Sequence, residues 1–122
     1  MAVSANIGVY QPYQPEDTVV SGHHSPIYKT KKVKTGQGVL DAGLIVAVDS
    51  NGEVVPYDPA GTAPVNEPVG VLVERCDTSK EDAAVVLVHG TVFRDRLKKA
   101  DGSALTADDE KALEAIGIYP MP

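Results

Sequence analysis

Two runs of apolar, mostly β-branched residues lie in the middle of the chain, at Val69–Val73 and Ala83–Val88, with a charged stretch between them. Short runs of this kind, bounded by turn residues, are typical of buried strands. We therefore predict two strands here, the second of which continues to Phe93. Gly90 interrupts this second strand, which indicates a β-bulge or the close approach of another backbone segment.

The segment before these runs has the pattern of a hairpin. A turn at Asp41-Ala42-Gly43 leads into an apolar strand at Leu44–Val48, and Glu53–Tyr57 is predicted to be the returning strand. Asn51-Gly52, between the two strands, is a strong short-range signal for a tight hairpin turn. The following stretch, Asp58–Pro68, contains three prolines and is predicted to be a loop.

One helix is predicted, from about Thr106 to Ile116. Thr106 is a favourable N-cap residue, and the acidic residues 108–110 lie in the first turn, where the helix dipole favours negative charge. Gly117 stands where a left-handed C-terminal cap is expected. Ile118–Tyr119 is predicted to be a short last strand. The predicted fold class is therefore mostly β (α+β), with one C-terminal helix.

Residues 1–26 differ from the remainder of the chain. They contain three prolines, two glycines and little apolar periodicity. Since proline lacks a backbone donor, neither a long helix nor a central strand is expected there. Composition leaves two alternatives open, an extended arm that becomes ordered on a partner and a simple disordered tail. The predicted organisation is an extended, flexible N-terminal arm, residues 1–26, followed by a single β-rich body, residues 27–122.

The charge distribution narrows the classes of partner. A formal net charge of −6 argues against general nucleic-acid binding, which usually shows as a basic domain. Four lysines nevertheless cluster between Lys29 and Lys34, with no acidic residue among them. This cluster is either a solvated edge strand, where lysines discourage edge-to-edge pairing, or a patch that meets an acidic partner. No signal peptide or membrane-spanning run is recognised, so we expect a soluble chain made in the cytoplasm, without membrane contact.

Candidate chemistry is sparse. The adjacent pair His23-His24 and the distant His89 lack the arrangement of a metal site, which needs three or four converging ligands. A single cysteine, Cys76, excludes an internal disulfide and a Cys-based zinc site. Gly36-Gln37-Gly38 lacks the third glycine and the Lys-Ser/Thr pair of phosphate-binding loops. We therefore expect no enzyme, no metal and no cofactor, which leaves a structural binding protein or, as the alternative, a small β-rich ligand-binding or carrier domain.

Five short segments, in a fixed order along the chain, carry a resemblance to a known family. They are Tyr10-Gln11-Pro12, Val46–Pro56, Val69-Gly70-Val71-Leu72, Gly90-Thr91-Val92-Phe93-Arg94, and the helix with Leu113 and Ala115 followed by Gly117-Ile118. In this pattern the chain resembles the head decoration proteins of lambda-like tailed bacteriophages. The fourth segment is similar to the family's Gly-Thr-Phe-Arg region, with one residue inserted.

The resemblance implies a homotrimer that sits at the three-fold and quasi-three-fold positions of the expanded phage head. Its partner would be the major capsid protein, and its role would be to stabilise the capsid against the pressure of packaged DNA. The arm is expected to pair with a capsid strand. By position, its capsid contacts would be Val9, Tyr10, Gln11, Pro12 and Tyr13.

The same resemblance implies a location on the outside of the capsid in the virion, after assembly in the host cytoplasm. No direct contact with nucleic acid is implied. We expect the contacts between subunits of the trimer to come from the loop Asp58–Pro68 and from the residues around Phe93.

Overall fold

The computed structural model describes residues 19–20 and 25–122. The described chain is mostly β, with one α-helix near its C-terminus, as the sequence predicts. The strands are β1 (Ile27–Lys32), β2 (Val39–Leu40), β3 (Ile45–Val48), β4 (Val54–Pro56), β5 (Gly70–Leu72), β6 (Cys76–Asp77), β7 (Ala83–Phe93) and β8 (Ile118–Met121). The helix α1 spans Ala107–Ala115, and a short 3₁₀ helix, Arg94–Arg96, follows β7.

A six-stranded sheet forms the body. Its antiparallel path has the order β1-β7-β5-β3-β4, and β8 adds to β7 in parallel. The two ends of the sheet meet: Val33, just after β1, bridges Val54 of β4. The amide of Lys34 donates to the carbonyl of Val54 at 3.2 Å. A separate two-stranded ribbon, β2 with β6, lies outside this path.

The longest strand, β7, organises the sheet because its two halves have different partners. In the first half, Leu87 lies opposite Tyr28 of β1 and Val71 of β5. In the second half, Val92 lies opposite Pro120 of β8 and also bridges Val20. A strand has only two edges, so Val20 and β8 pair with opposite edges of this second half.

The predicted irregularity at Gly90 is confirmed. The register between β1 and β7 shifts between Ile27 and Tyr28, next to this glycine. Gly90 has φ +138°, a conformation that other residues rarely adopt, and a Cβ there would lie 3.2 Å from Cα of Pro26. Both the close approach and the backbone conformation therefore require glycine.

Two apolar clusters cover the two faces of the sheet. Successive residues of a strand point to opposite faces, so Leu87 enters one cluster and Val86 the other. The first cluster includes Val19, Ile45, Val71, Leu87, Val92, Leu113 and Ile118. The second includes Val33, Val46, Val54, Leu72, Val86 and the thiol-bearing Cys76. This two-sided burial explains why β7 is an almost continuous apolar run.

The helix begins where the sequence predicts. The side chain of Thr106 accepts a hydrogen bond from the amide of Asp109, and the carboxylate of Asp109 accepts one from the amide of Thr106. This reciprocal capping box satisfies two backbone donors that the helix itself leaves unpaired. Leu113 buries the helix against the sheet, and Gly117, with φ +88°, reverses the chain into β8.

Candidate interaction surface

The residues predicted to contact the capsid, Val9 to Tyr13, lie outside the described residues. The structure shows where the chain that carries them joins the body. The amide of Phe93 donates to the carbonyl of Val19 at 2.8 Å, and the side chain of Val19 is buried in the first core cluster. Thus two residues within the segment expected to be an arm, Val19 and Val20, contact β7. The preceding segment starts beside Phe93, at the end of this strand.

A groove with a volume of about 580 Å³ opens next to Val19. Three apolar side chains, Val19, Ala42 and Val73, lie along it. Its charged lining comes from separate parts of the chain: Asp41, Glu74, Arg75, Asp95, Arg96 and Lys98. No local sequence pattern marks this groove, because its walls meet only in the folded protein.

Two guanidinium groups line the groove and differ from its lysine in their ion pairing within the described part of the chain. Lys98 lies 3.9 Å from the carboxylate of Asp41. By contrast, Arg75 and Arg96 form no ion pair with any residue in 19–20 or 25–122. An arginine can bind a carboxylate through two parallel hydrogen bonds, so both remain available to an acidic group that enters the groove.

The lysine cluster lies on β1 and the residues that follow it. One edge of β1 pairs with β7, and among the described residues its other edge gains a strand partner only after β1 ends, where Val33 bridges Val54 of β4. Lys32 lies 3.5 Å from Glu53, whereas Lys29, Lys31 and Lys34 have no carboxylate within ion-pair distance in the described chain. The cluster is thus a basic edge strand that solvent reaches.

Exposed apolar side chains accompany this edge. Ile27 and Tyr28, at the start of β1, are 51% and 47% exposed. A second exposed apolar region lies on the outer face of the β7–β8 pair, where Tyr119 is 42% exposed. Met121 and Phe93, which are register partners, lie partly buried beside it. Exposed aromatic and aliphatic side chains that lie close together are typical of contact surfaces for other proteins.

A polar cluster inside the body has a structural role that no local sequence pattern indicates. The carboxylate of Asp109 lies 2.8 Å from the ammonium group of Lys99 and accepts a hydrogen bond of 3.0 Å from the hydroxyl of Tyr57. Asp109 and Lys99 are only 2% and 9% exposed. From its position in the first turn, Asp109 is expected only to interact favourably with the helix dipole. The structure adds that its side chain connects α1 to two distant segments.

The surroundings of this cluster shift the pKa values of Asp109 and Tyr57. Burial alone raises the pKa of Asp109, but the hydrogen bonds from Lys99, Thr106 and Tyr57 outweigh it and hold the pKa below its usual range. Burial, together with the hydrogen bond to the Asp109 carboxylate, raises the pKa of Tyr57 to about 12. Around neutral pH, Asp109 is therefore a carboxylate and Tyr57 a neutral phenol.

Reactive groups are few in the described chain. No three His, Cys, Asp or Glu side chains within 19–20 and 25–122 converge as metal ligands would. His23 and His24 lie outside the described residues. Cys76 is buried, and burial raises the pKa of its thiol, so it is a poor nucleophile at neutral pH. The described part of the chain contains no helix long and apolar enough to cross a membrane.

The fold and its surfaces define a small, strand-rich binding domain in which Val19 and Val20 pair with the end of the central strand β7. Comparison with protein families identifies the family: residues 9–118 match the model of bacteriophage lambda head decoration protein D. The chain belongs to this family of phage capsid decoration proteins, which are structural components of the virion. A search of curated proteins found no match.

Proposed function

We propose that this protein binds the outside of the expanded phage head as a homotrimer and stabilises the head against the pressure of packaged DNA. The observation that carries the proposal is the family match, which spans the body and begins at Val9, within the N-terminal segment. Its partner is then the major capsid protein. The strand-rich body supplies the rigid support, and the segment before Val19 supplies the capsid-binding arm.

The arm binds the capsid through Val9, Tyr10, Gln11, Pro12 and Tyr13. An extended segment can add as a strand to the edge of a partner sheet, where main-chain hydrogen bonds supply affinity and alternate side chains supply specificity. Three arms of one trimer that bind together gain by effective concentration, so each single contact can be weak. The pairing of Val19 with Phe93 supports this proposal, because it ties the origin of the arm to the body.

Contacts between subunits of the trimer involve the apolar outer face of β7 and β8. Tyr119, Met121 and Phe93 lie on this face, and the notable exposure of Tyr119 supports a partner there. The loop Asp58–Pro68 is the second proposed contact. Analytical ultracentrifugation over a hundredfold range of concentration tests the trimer. A single species of monomer mass over that range would contradict self-association in solution.

Co-sedimentation with expanded, undecorated heads of the source phage tests decoration itself. The full chain is compared with Tyr10→Ala/Tyr13→Ala and with a matched control, Ser4→Ala/Asn6→Ala, whose positions precede the family match. We expect saturable binding of the full chain and the control. The tyrosine variant should bind at least about tenfold more weakly, since a buried tyrosine at an interface can contribute about 2 kcal/mol.

The outcomes separate the parts of the proposal. If the full chain does not bind the heads, decoration is refuted and the small ligand-binding domain becomes the leading alternative. If the tyrosine variant binds as tightly as the full chain, decoration stands but its assignment to these arm residues is wrong.

A further inference from the structure

We propose that the groove beside Val19 holds the segment that immediately precedes it in the same chain, Pro15–Thr18. The groove is lined by Val19, Ala42, Val73, Arg75 and Arg96, together with Asp41, Glu74, Asp95 and Lys98. Docked there, Pro15–Thr18 forms a fixed root for the arm. The consequence for capsid binding rests on the proposed function, whereas the occupancy of the groove does not.

The direction of the chain leads into the groove. Val20 bridges Val92 in an antiparallel sense, and the carbonyl of Val19 accepts from the amide of Phe93. Moving towards the N-terminus from Val19 therefore means moving past Phe93, towards the 3₁₀ helix Arg94–Arg96. Asp95 and Arg96 of this helix line the groove. An extended chain advances about 3.3 Å per residue, so four residues span roughly 13 Å along this wall.

The charges of the segment suit the two arginines of the groove. Glu16 and Asp17 are the only acidic residues among the first forty. Arg75 and Arg96 form no ion pair with another described residue, whereas Lys98 lies near Asp41. Glu74 and Asp95 also line the groove, so its charged lining residues have no net charge. A carboxylate is therefore favoured only where it meets an arginine directly, which gives the site positional selectivity.

A fixed root would change how the arm works. With Pro15–Thr18 in the groove, only Gln14 separates the docked residues from the segment Val9–Tyr13. The root then sets the direction in which the capsid-binding residues leave the body. A shorter free tether also loses less conformational entropy when its end is captured.

Amide hydrogen exchange of the free, full-length protein tests the root, because no capsid is needed. We expect the amides of Glu16, Asp17 and Thr18 to exchange at least tenfold more slowly than in an unstructured peptide of the same sequence. Protection should fall at least fivefold in Glu16→Gln/Asp17→Gln and in Arg75→Glu/Arg96→Glu. It should return when the second variant is combined with Glu16→Lys/Asp17→Lys. Lys111→Glu, on the exposed side of α1, is the matched charge control and should leave protection unchanged.

Several results would overturn the root. One is exchange of these amides at the unstructured rate in the unmodified protein. Another is protection that survives both neutralisation of the acids and reversal of the arginines. Protection that rises with protein concentration would mean that the groove holds the segment of a neighbouring copy, which also contradicts the proposal. Co-sedimentation of the same variants is scored separately, so a failure to decorate heads with intact protection refutes the function and leaves the root standing.

Discussion

Replacement of Asp109 by asparagine tests whether the buried polar cluster holds the helix to the body. Asparagine keeps the size of the side chain but removes its charge and one of its acceptor oxygens. In the native protein one carboxylate oxygen accepts from Tyr57, and the other accepts from the amide of Thr106 and lies 2.8 Å from the ammonium group of Lys99. The variant therefore leaves the ammonium group of Lys99, at a site only 9% exposed, without its counter-charge.

The size of the effect follows from these contacts. Loss of one partner of a buried ion pair costs about 3–5 kcal/mol. Lys99 retains slight exposure, so we expect the lower end, about 3 kcal/mol, which includes any weakening of the capping box. That is a large share of a total stability of about 5–15 kcal/mol. At a urea dependence of about 1.5 kcal/mol per molar, the unfolding midpoint should fall by about 2 M.

Urea unfolding followed by circular dichroism measures this change, at one fixed protein concentration because self-association would add to apparent stability. Asp108→Asn is the matched control, since Asp108 is the exposed neighbour of Asp109 and should change stability by less than about 0.5 kcal/mol. The double variant Asp109→Asn/Lys99→Met should recover part of the loss, because it leaves no unpaired charge. If the free energy of unfolding of Asp109→Asn lies within about 0.5 kcal/mol of that of the original protein, the structural role of the cluster is refuted.

Three further predictions concern the body. Because the folded pKa of Asp109 is lowered, its contribution to stability is present above its unfolded pKa of about 4 and is lost as pH falls through the folded value. Urea midpoints at a series of pH values should therefore converge for Asp109→Asn and the original protein below about pH 4, and a constant difference down to pH 2 would contradict this. Gly70→Ala should lower the free energy of unfolding by about 1–3 kcal/mol, because its Cβ would overlap Cγ1 of Val86 and lie 2.5 Å from the carbonyl oxygen of Leu87. Gly102→Ala is the control, because a Cβ there meets open space, and it should cost only about 1 kcal/mol. The thiol of Cys76 should react with a thiol reagent at least about a hundredfold more slowly in the folded than in the urea-unfolded protein, since the thiol is buried and its pKa is raised. Equal rates would show that the β2–β6 region opens readily.

The sequence predicted those elements whose signals are local. The apolar run that became β7 is visible because both of its faces are buried, and α1 is visible because its cap residues adjoin it. By contrast, β1 has exposed residues on both faces, so no apolar period marks it as a strand. The strand β6 has only two residues, Cys76–Asp77, and is defined by its pairing with β2.

The candidate surfaces were harder to predict because they depend on contacts between distant segments. Tyr57 and Asp109 are 52 residues apart in the chain, and nothing near either residue indicates that they meet. Val19 lies in a segment rich in proline, where sequence alone indicated no packing, yet it is 4% exposed. A truncation that begins at Ile27 would therefore remove a core side chain together with the preceding residues, and point substitutions are the cleaner test of capsid binding.

The charge pattern of β1 determines which partners its open edge can accept. Two copies of this strand paired with each other would bring lysines near lysines, and like charges that face each other across a strand pair are destabilising. The exposed Ile27 and Tyr28 would otherwise favour such association. The lysines thus reduce edge-to-edge aggregation in the way that natural sheets commonly do. Because Val20 and Ile27 pair successively with Val92 and His89, β1 follows Val20 along the same edge of β7. An acidic surface would therefore be favoured over a second copy of β1 as a partner for this edge.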